Sequence, residues 1–161
     1  MFNKLFVFSV IISAVAAELS PGLYRIHNPE INTAAFVAKS GGEIGVPVVL
    51  SLSQPSDLHE LWVVRRASQG PANSYTLENI GQDQATYATD FNTDTENFVY
   101  TGVTDQHPYY IESPDDDDNY VIYADSDHAK AWTAPGQSET PISIEELGTA
   151  GQTWNFVPAL A

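Results

Sequence analysis

The chain has 161 residues, of which 21 are acidic and six are basic, and its formal net charge at pH 7 is −15. This charge disfavours nucleic acid and anionic membranes as partners, because both bind to basic surfaces. The sequence contains no cysteine, so no disulfide holds the fold together and its stability must come from packing.

The N-terminus is typical of a secretion signal. Lys4 precedes an apolar stretch, Leu5–Ala17, whose last residues are small like those of a cleavage region. This stretch has 13 residues, whereas a membrane-spanning helix needs about 20. We therefore predict a signal peptide at residues 1–17 and a secreted, extracellular protein without a membrane anchor after cleavage. Residues 18–161 are predicted to form one domain, which we expect to be a monomer.

One pattern occurs three times in the remaining chain. A tyrosine followed two residues later by an aliphatic residue opens each copy, at Tyr24, Tyr75 and Tyr120. An aromatic residue closes each copy, at Trp62, Tyr109 and Trp154. The opening and closing residues are 38, 34 and 34 positions apart (62−24, 109−75 and 154−120). Repetition at this period indicates one structural unit used three times, so we expect these aromatic residues to pack in the core.

Short strands separated by turns are predicted between these anchors. Alternation of apolar and polar residues indicates a half-buried first strand in each copy, at 22–27, 74–78 and 119–123. A third strand of each copy is predicted at 48–52, 98–100 and 141–144. No stretch has a convincing helical period, although 56–60 and 145–147 could each form one helical turn.

Twelve strands in three four-stranded repeats predict an all-β fold, the β-trefoil. The repeats are about 22–66, 73–113 and 118–158. In this fold six strands close a barrel and three hairpins cap its end, and closure removes the exposed strand edges. A two-sheet sandwich is the alternative, but it would not explain three copies.

Catalytic and metal-binding patterns are weak. The acidic run Asp115–Asp118 lacks the ligand spacing of a calcium-binding EF-hand loop. The four histidines are isolated in sequence and do not form a zinc-binding pair. Neither a nucleophile elbow nor a phosphate-binding loop is present. We therefore predict a protein without enzymatic activity, metal or other cofactor; an enzyme whose triad is assembled from distant residues remains an alternative.

The third copy carries a motif that points to sugar binding. Gln152-Thr-Trp154 resembles the Gln-x-Trp signature of ricin-type trefoil lectins. The resemblance implies that each sugar site also uses an Asp soon after the first strand of the repeat, together with an aromatic platform. Asp83 lies at such a position in the second copy, and Asp125 and Asp127 do so in the third. Carbohydrate binding is therefore the alternative function.

The few basic residues indicate a different function. Lys39 ends the predicted second strand of the first copy, and Arg65-Arg66 opens the connection to the second copy. A Lys or Arg on a protruding rigid loop can enter the primary pocket of a trypsin-like protease, whose floor carries an Asp. The same residues could equally balance nearby acids. Arg25 is expected to be a solvated charge on a strand face, and Lys130 lies in the second strand of the third copy.

Three segments, Leu19–Asn28, Leu61–Val64 and Thr153–Pro158, resemble the mushroom (fungal) serine protease inhibitors typified by cospin. The resemblance spans essentially residues 19–159. It implies a disulfide-free β-trefoil that inhibits trypsin-like proteases through a surface loop between the second and third strands.

On this chain the inhibitory loop would be residues 39–47, whose glycines leave it less rigid than a tight inhibitor requires. The candidate protease-contact residues are Lys39, Ser40, Gly41, Gly42, Glu43, Arg65 and Arg66. We therefore predict a secreted serine protease inhibitor, with a ricin-like carbohydrate-binding module as the alternative.

Overall fold

The computed structural model describes residues 18–30, 36–40, 44–81, 84–92, 97–103, 106–115 and 118–159. The predicted signal peptide lies outside these residues. Among the residues described, no helix is long and apolar enough to cross a membrane. The predicted helical turn within 56–60 is confirmed as a 3₁₀ turn at Leu58–Glu60, whereas the one predicted at 145–147 is wrong, because residues 143–146 form a strand.

Thirteen β-strands are present in the described residues. In chain order they are β1 (Gly22–Asn28), β2 (Phe36–Lys39), β3 (Val49–Leu52), β4 (Trp62–Arg66), β5 (Ser74–Asn79), β6 (Thr86–Asn92), β7 (Asn97–Gly102), β8 (Tyr109–Glu112), β9 (Val121–Tyr123), β10 (Lys130–Thr133), β11 (Thr140–Pro141), β12 (Ser143–Glu146) and β13 (Asn155–Pro158).

Six of these strands close a barrel. Antiparallel pairing runs from β1 to β4, β5, β8 and β9 in turn. β13 pairs with β1 and completes the ring, because Tyr120 and Trp154 join the starts of β9 and β13. Each of these two residues donates its amide to the carbonyl of the other, at 2.8 Å. The barrel therefore has no open edge between its strands.

The remaining strands form three hairpins, which are β2–β3, β6–β7 and β10 with β12. They meet in a cyclic set of backbone hydrogen bonds. The amide of Val48 donates to Val99 at 2.7 Å, that of Val99 to Ile142 at 3.0 Å, and that of Ile142 to Val48 at 2.9 Å. All three side chains are fully buried. The cycle joins one equivalent segment from each of the three copies. The predicted β-trefoil is therefore confirmed.

The strand number differs from the predicted twelve because one strand is split at Ile142. β11, which precedes it, pairs with β3, whereas β12, which follows it, pairs with β10. Ile142 itself uses its amide and carbonyl in the cycle between the hairpins. The third strand of the third copy therefore pairs with β3 before Ile142 and with β10 after it. It is counted as two strands for this reason.

The repeated aromatic residues form the core, as predicted, with Tyr120 only partly buried against it. Trp62 and Trp154 are fully buried, and each indole N–H donates to a backbone carbonyl. Trp62 donates to Ala38 at 2.8 Å and Trp154 donates to Trp132 at 3.1 Å. Because a buried indole N–H needs such a partner, these contacts fix the hairpins on the barrel.

Arg25 is not the solvated strand-face charge that the sequence predicts. Its side chain is 18% exposed, and its Nε lies 3.6 Å from the fully buried carboxylate of Glu60. The guanidinium also donates to the Pro55 carbonyl at 2.6 Å, and the Gln54 amide donates to both Glu60 oxygens at 2.9 Å. Burial raises the pKa of Glu60. The pair joins β1 to the 3₁₀ turn, whose last residue is Glu60.

Candidate functional site

Lys39, the first predicted protease-contact residue, is held against the 3₁₀ turn. Its ammonium lies 3.0 Å from Asp57 Oδ2, and its side chain is a quarter exposed. This hydrogen bond raises the pKa of Lys39. Burial opposes ionisation of Asp57, but hydrogen bonds from Lys39 and His59 nevertheless lower its pKa. Ser40 is buried and donates its amide to the His59 carbonyl at 3.1 Å; the other predicted loop residues, Gly41, Gly42 and Glu43, lie outside the described residues.

Arg65 and Arg66 are the last residues of β4, not the start of the connection that follows it. Arg65 forms an ion pair with Glu78 on the neighbouring strand β5. Arg66 forms an ion pair with Glu18 at 2.6 Å, and this hydrogen bond raises its pKa. The Arg66 guanidinium also donates to the Ala72 carbonyl. Both cations are therefore paired with carboxylates.

A groove of about 320 Å³ begins at these two arginines. Its lining residues are Arg65, Arg66, Ala67, Ser68, Gln69, Thr76, Tyr87, Gln106 and Pro108. Tyr87, on β6, is half-buried, whereas Gln69 and Gln106 are exposed. The Tyr87 groove, as we name it, thus combines an aromatic ring with two guanidinium groups, two amides and two hydroxyls.

The residues that line the Tyr87 groove are not shared by the three copies of the repeat. Counted from the closing aromatic of each copy, the residues equivalent to Arg65 are Glu112 and Val157. By the register of the hairpins, the residue equivalent to Tyr87 is a valine in the first copy and an alanine in the third. Residues that a shared scaffold requires would recur in all three copies, so these side chains are free to serve a role outside the scaffold.

Tyr87, Gln69 and Gln106 were not among the predicted site residues. They come from three separate segments, which meet because β4, β6 and β8 all pair with β5. The sequence did not single out Tyr87, because its equivalence to a valine and an alanine in the other copies follows only from the register of the hairpins.

The Gln-x-Trp motif has a structural role. Gln152 is buried, and its side-chain oxygen accepts a hydrogen bond from the Gly148 amide at 2.8 Å. Its side-chain nitrogen donates to Thr133 Oγ1 and to the Glu146 carbonyl, both at 3.0 Å. These bonds hold the turn between β12 and β13 against β10, and Trp154 lies in the core. Both side chains are therefore engaged in contacts within the fold.

The turn after β9 carries the two carboxylates that resemble those of a ricin-type site. Burial raises the pKa of Asp125, and the neighbouring Asp127 raises it further. Hydrogen bonding to Asp125 lowers the pKa of Asp127, which also accepts the Ala129 amide at 3.0 Å. The His128 ring stacks on Tyr123 with ring centroids 4.2 Å apart and planes at 11°. Asp83, the corresponding candidate in the second copy, lies outside the described residues.

Metal binding finds no support in the part of the chain that the structure describes, where no group of three His, Asp or Glu side chains is arranged to hold an ion. Asp115 and Asp118 are among the described residues, whereas the two central residues of the acidic run are not.

No family model matches the chain, and no curated protein matches it. Solved structures do resemble it. The Rhizoctonia solani agglutinin is 20% identical, with a TM-score of 0.70 over 88% of this chain and 98% of its own. ThreeFoil, a designed threefold symmetric protein, is 15% identical, with a TM-score of 0.66 over 84% of this chain and 98% of its own.

A third similar structure is the Polyporus squamosus lectin, bound to the human-type influenza-binding epitope Neu5Aca2-6Galb1-4GlcNAc. It is 18% identical, with a TM-score of 0.64 over 87% of this chain, and the chain spans half of its length. At these identities the similarity establishes the β-trefoil fold. Two of the three neighbours are an agglutinin and a lectin, while the resemblance to the mushroom protease inhibitors remains a prediction.

Proposed function

We propose that this protein binds carbohydrate and that the Tyr87 groove is its binding site. The observation that carries the proposal is the combination of an aromatic ring with amide, hydroxyl and guanidinium groups at one place that the repeat does not explain. A sugar ring has an apolar face that packs on an aromatic side chain, while its hydroxyls need several donors and acceptors around the edge. The agglutinin and the lectin among the structural neighbours support this class of function.

The electrostatics of the groove favour a neutral saccharide. Glu78 and Glu18 offset the charges of Arg65 and Arg66, so the groove offers donors without a large net charge. A guanidinium has five N–H groups, and one carboxylate partner leaves some of them for a hydroxyl. Arg66 also donates to the Ala72 carbonyl, and this second contact reduces the conformational entropy that its side chain loses when a ligand binds.

Protease inhibition has weaker support from the same residues. A primary specificity residue must extend as an unpaired cation into a pocket with an Asp at its floor. Lys39 is paired with Asp57, Arg65 with Glu78 and Arg66 with Glu18. Each would have to leave its own carboxylate before it entered that pocket, and Arg65 and Arg66 lie at the end of strand β4 and not on a loop. We therefore place carbohydrate binding before inhibition.

A glycan array followed by calorimetry with the best-bound glycan tests the proposal. We expect Tyr87→Ala to weaken binding at least about tenfold, the effect of losing a central aromatic contact. Gln106→Ala should weaken binding less, because it removes hydrogen bonds from an exposed side chain. Tyr110→Ala is the matched control, since Tyr110 is also a half-buried strand tyrosine but contacts His128 outside the groove.

Two results would contradict this assignment. If Tyr87→Ala binds glycan as tightly as the unmodified protein, the groove is not the site. If Asp125→Asn with Asp127→Asn abolishes binding while Tyr87→Ala does not, the site is the turn after β9.

A further inference from the structure

The segment that precedes β8 forms part of the wall of the Tyr87 groove. Gln106 and Pro108 line the groove, and His107 lies between them in the chain. Residues 106–108 belong to no strand, and no backbone–backbone hydrogen bond joins them to any other described residue. The place of this wall segment therefore depends on its attachment to β8 and on side-chain contacts.

The imidazole of His107 supplies such a contact. Its Nε2 lies 2.9 Å from the Ala124 carbonyl oxygen. Because a carbonyl oxygen only accepts hydrogen bonds, Nε2 carries a proton and is the donor. Ala124 directly follows β9, which pairs with β8. This hydrogen bond ties the wall segment to the third copy of the repeat.

A carboxylate links the same ring to the strand that carries Tyr87. Asp90, on β6 like Tyr87, places its Oδ2 3.4 Å from His107 Nε2. Its other oxygen, Oδ1, accepts the Tyr109 hydroxyl at 2.6 Å. The Tyr109 ring also packs against that of His107, with centroids 4.8 Å apart and planes inclined at 62°. His107 thus connects the wall segment with both β6 and β8.

The equivalent position anchors a connection in the other two copies as well. Glu60 and Gln152, like His107, lie two residues before the closing aromatic residue. Glu60 accepts the Gln54 amide and Gln152 accepts the Gly148 amide, so each holds the connection that leads to its own closing strand. In the second copy the anchored connection is the one that lines the groove.

We propose that His107 is a positioning residue of the Tyr87 groove, and that it holds Gln106 and Pro108 in place for a saccharide. This inference rests on the proposed function of the groove and assigns control of its affinity to a residue outside its lining. Without the bond to Ala124, the wall segment would have more conformations in the free protein. Binding would then have to restrict them, at a cost in affinity.

Two substitutions of His107 separate its hydrogen bond from its bulk. His107→Phe keeps an aromatic ring but removes the donor, whereas His107→Gln keeps an N–H donor. By calorimetry with the best-bound glycan, we expect His107→Phe to weaken binding about three- to tenfold and His107→Gln to stay within about twofold of the unmodified protein. In a Gln106→Ala background the effect of His107→Phe should be smaller, because His107 acts partly through Gln106.

A measurement on the free protein tests the positioning role without a ligand. The ¹⁵N heteronuclear NOE of the Gln106 backbone amide reports its mobility. We expect this NOE to fall in His107→Phe and to keep its value in His107→Gln. His128→Phe is the matched control for both measurements, because the His128 side chain is 32% exposed and that of His107 is 29% exposed. The His128 ring stacks on Tyr123, outside the groove.

The results distinguish failure of this inference from failure of the proposed function. If Tyr87→Ala weakens glycan binding while His107→Phe changes neither the affinity nor the Gln106 NOE, the groove is the site but His107 does not position it. Equal losses of affinity in His107→Phe and His107→Gln, or in His107→Phe and His128→Phe, would also overturn the inference. If the unmodified protein binds no glycan, the proposed function fails, and an unchanged Gln106 NOE in His107→Phe would reject the positioning role separately.

Discussion

Replacing Glu60 by Gln tests whether its buried carboxylate favours or opposes folding at neutral pH. Glu60 is fully buried, and burial is the largest influence on its pKa, which is raised above the ordinary value despite the Arg25 guanidinium nearby. A carboxyl group with a raised pKa binds a proton more tightly in the folded chain than in the unfolded chain. Its contribution to stability is therefore greatest at low pH and is lost as the pH rises from the ordinary value through the raised one.

The effect of Glu60→Gln should consequently depend on pH. Below the ordinary pKa of a glutamate, about 4.3, the side chain is protonated in both states, and the amide is a close substitute for it. As the pH rises through the window between the two pKa values, the variant should gain stability relative to the unmodified protein. The gain in the free energy of unfolding cannot exceed about 1.4 kcal/mol per pH unit, the limit for one proton.

Urea denaturation between pH 4 and pH 8 measures this difference. Tryptophan fluorescence is a suitable signal, because Trp62, Trp132 and Trp154 are all fully buried. Glu146→Gln, at a side chain 78% exposed, controls for the change in overall charge. If Glu60→Gln instead loses stability relative to the unmodified protein as the pH rises, the ion pair with Arg25 outweighs burial and the reasoning is refuted. Glu60→Ala, which removes the acceptor of the Gln54 amide and the carboxylate beside the partly exposed Arg25, should cost about 1–3 kcal/mol.

Three further predictions concern the scaffold and the inhibitor hypothesis. Gln152→Ala leaves buried hydrogen-bond partners unsatisfied and should lower the free energy of unfolding by about 1–3 kcal/mol. Calorimetry should show an unchanged glycan affinity. A loss of affinity would mean that the Gln-x-Trp motif is part of the binding site. Gly151→Ala should lower the melting temperature, because its φ is +88° and a Cβ would lie 2.8 Å from the Ala134 carbonyl oxygen, whereas Gly136→Ala meets no atom within 4 Å and should not. In a trypsin assay at micromolar protein, we expect Lys39→Ala to leave any inhibition unchanged. Potent inhibition that is lost in this variant would reinstate the inhibitor function.

The fold was predictable because the residues that define it recur. The opening tyrosines and closing aromatic residues are large, and their spacing survives changes in loop length. The split strand at Ile142 was not predictable, because it results from hydrogen bonds to Val48 and Val99, which belong to the other two copies. The burial of Arg25 depends in the same way on Glu60, 35 positions away (60−25).

The candidate site was only half predictable. The scarcity of basic residues drew attention to Arg65 and Arg66, and both line the Tyr87 groove. Their role was predicted from their charge, but the structure pairs each with a carboxylate, so they are not the unpaired cations that the inhibitor hypothesis assumed. Sequence spacing does not reveal which acid faces which base across a barrel. Gln69 and Gln106 reach the groove from different connections, so no local pattern marks them.

The position of the groove in a pseudo-threefold scaffold also determines its valency. A protein whose three copies carried the same site would bind three ligands and could cross-link glycans on two surfaces. Here Arg65 is replaced by Glu112 and Val157 in the equivalent positions, so the chain should hold one Tyr87 groove. We therefore expect calorimetry to give one glycan per chain, and the protein as a monomer to bind cells without agglutinating them. A stoichiometry near three would show that the binding residues belong to what the copies share, and would place the site elsewhere.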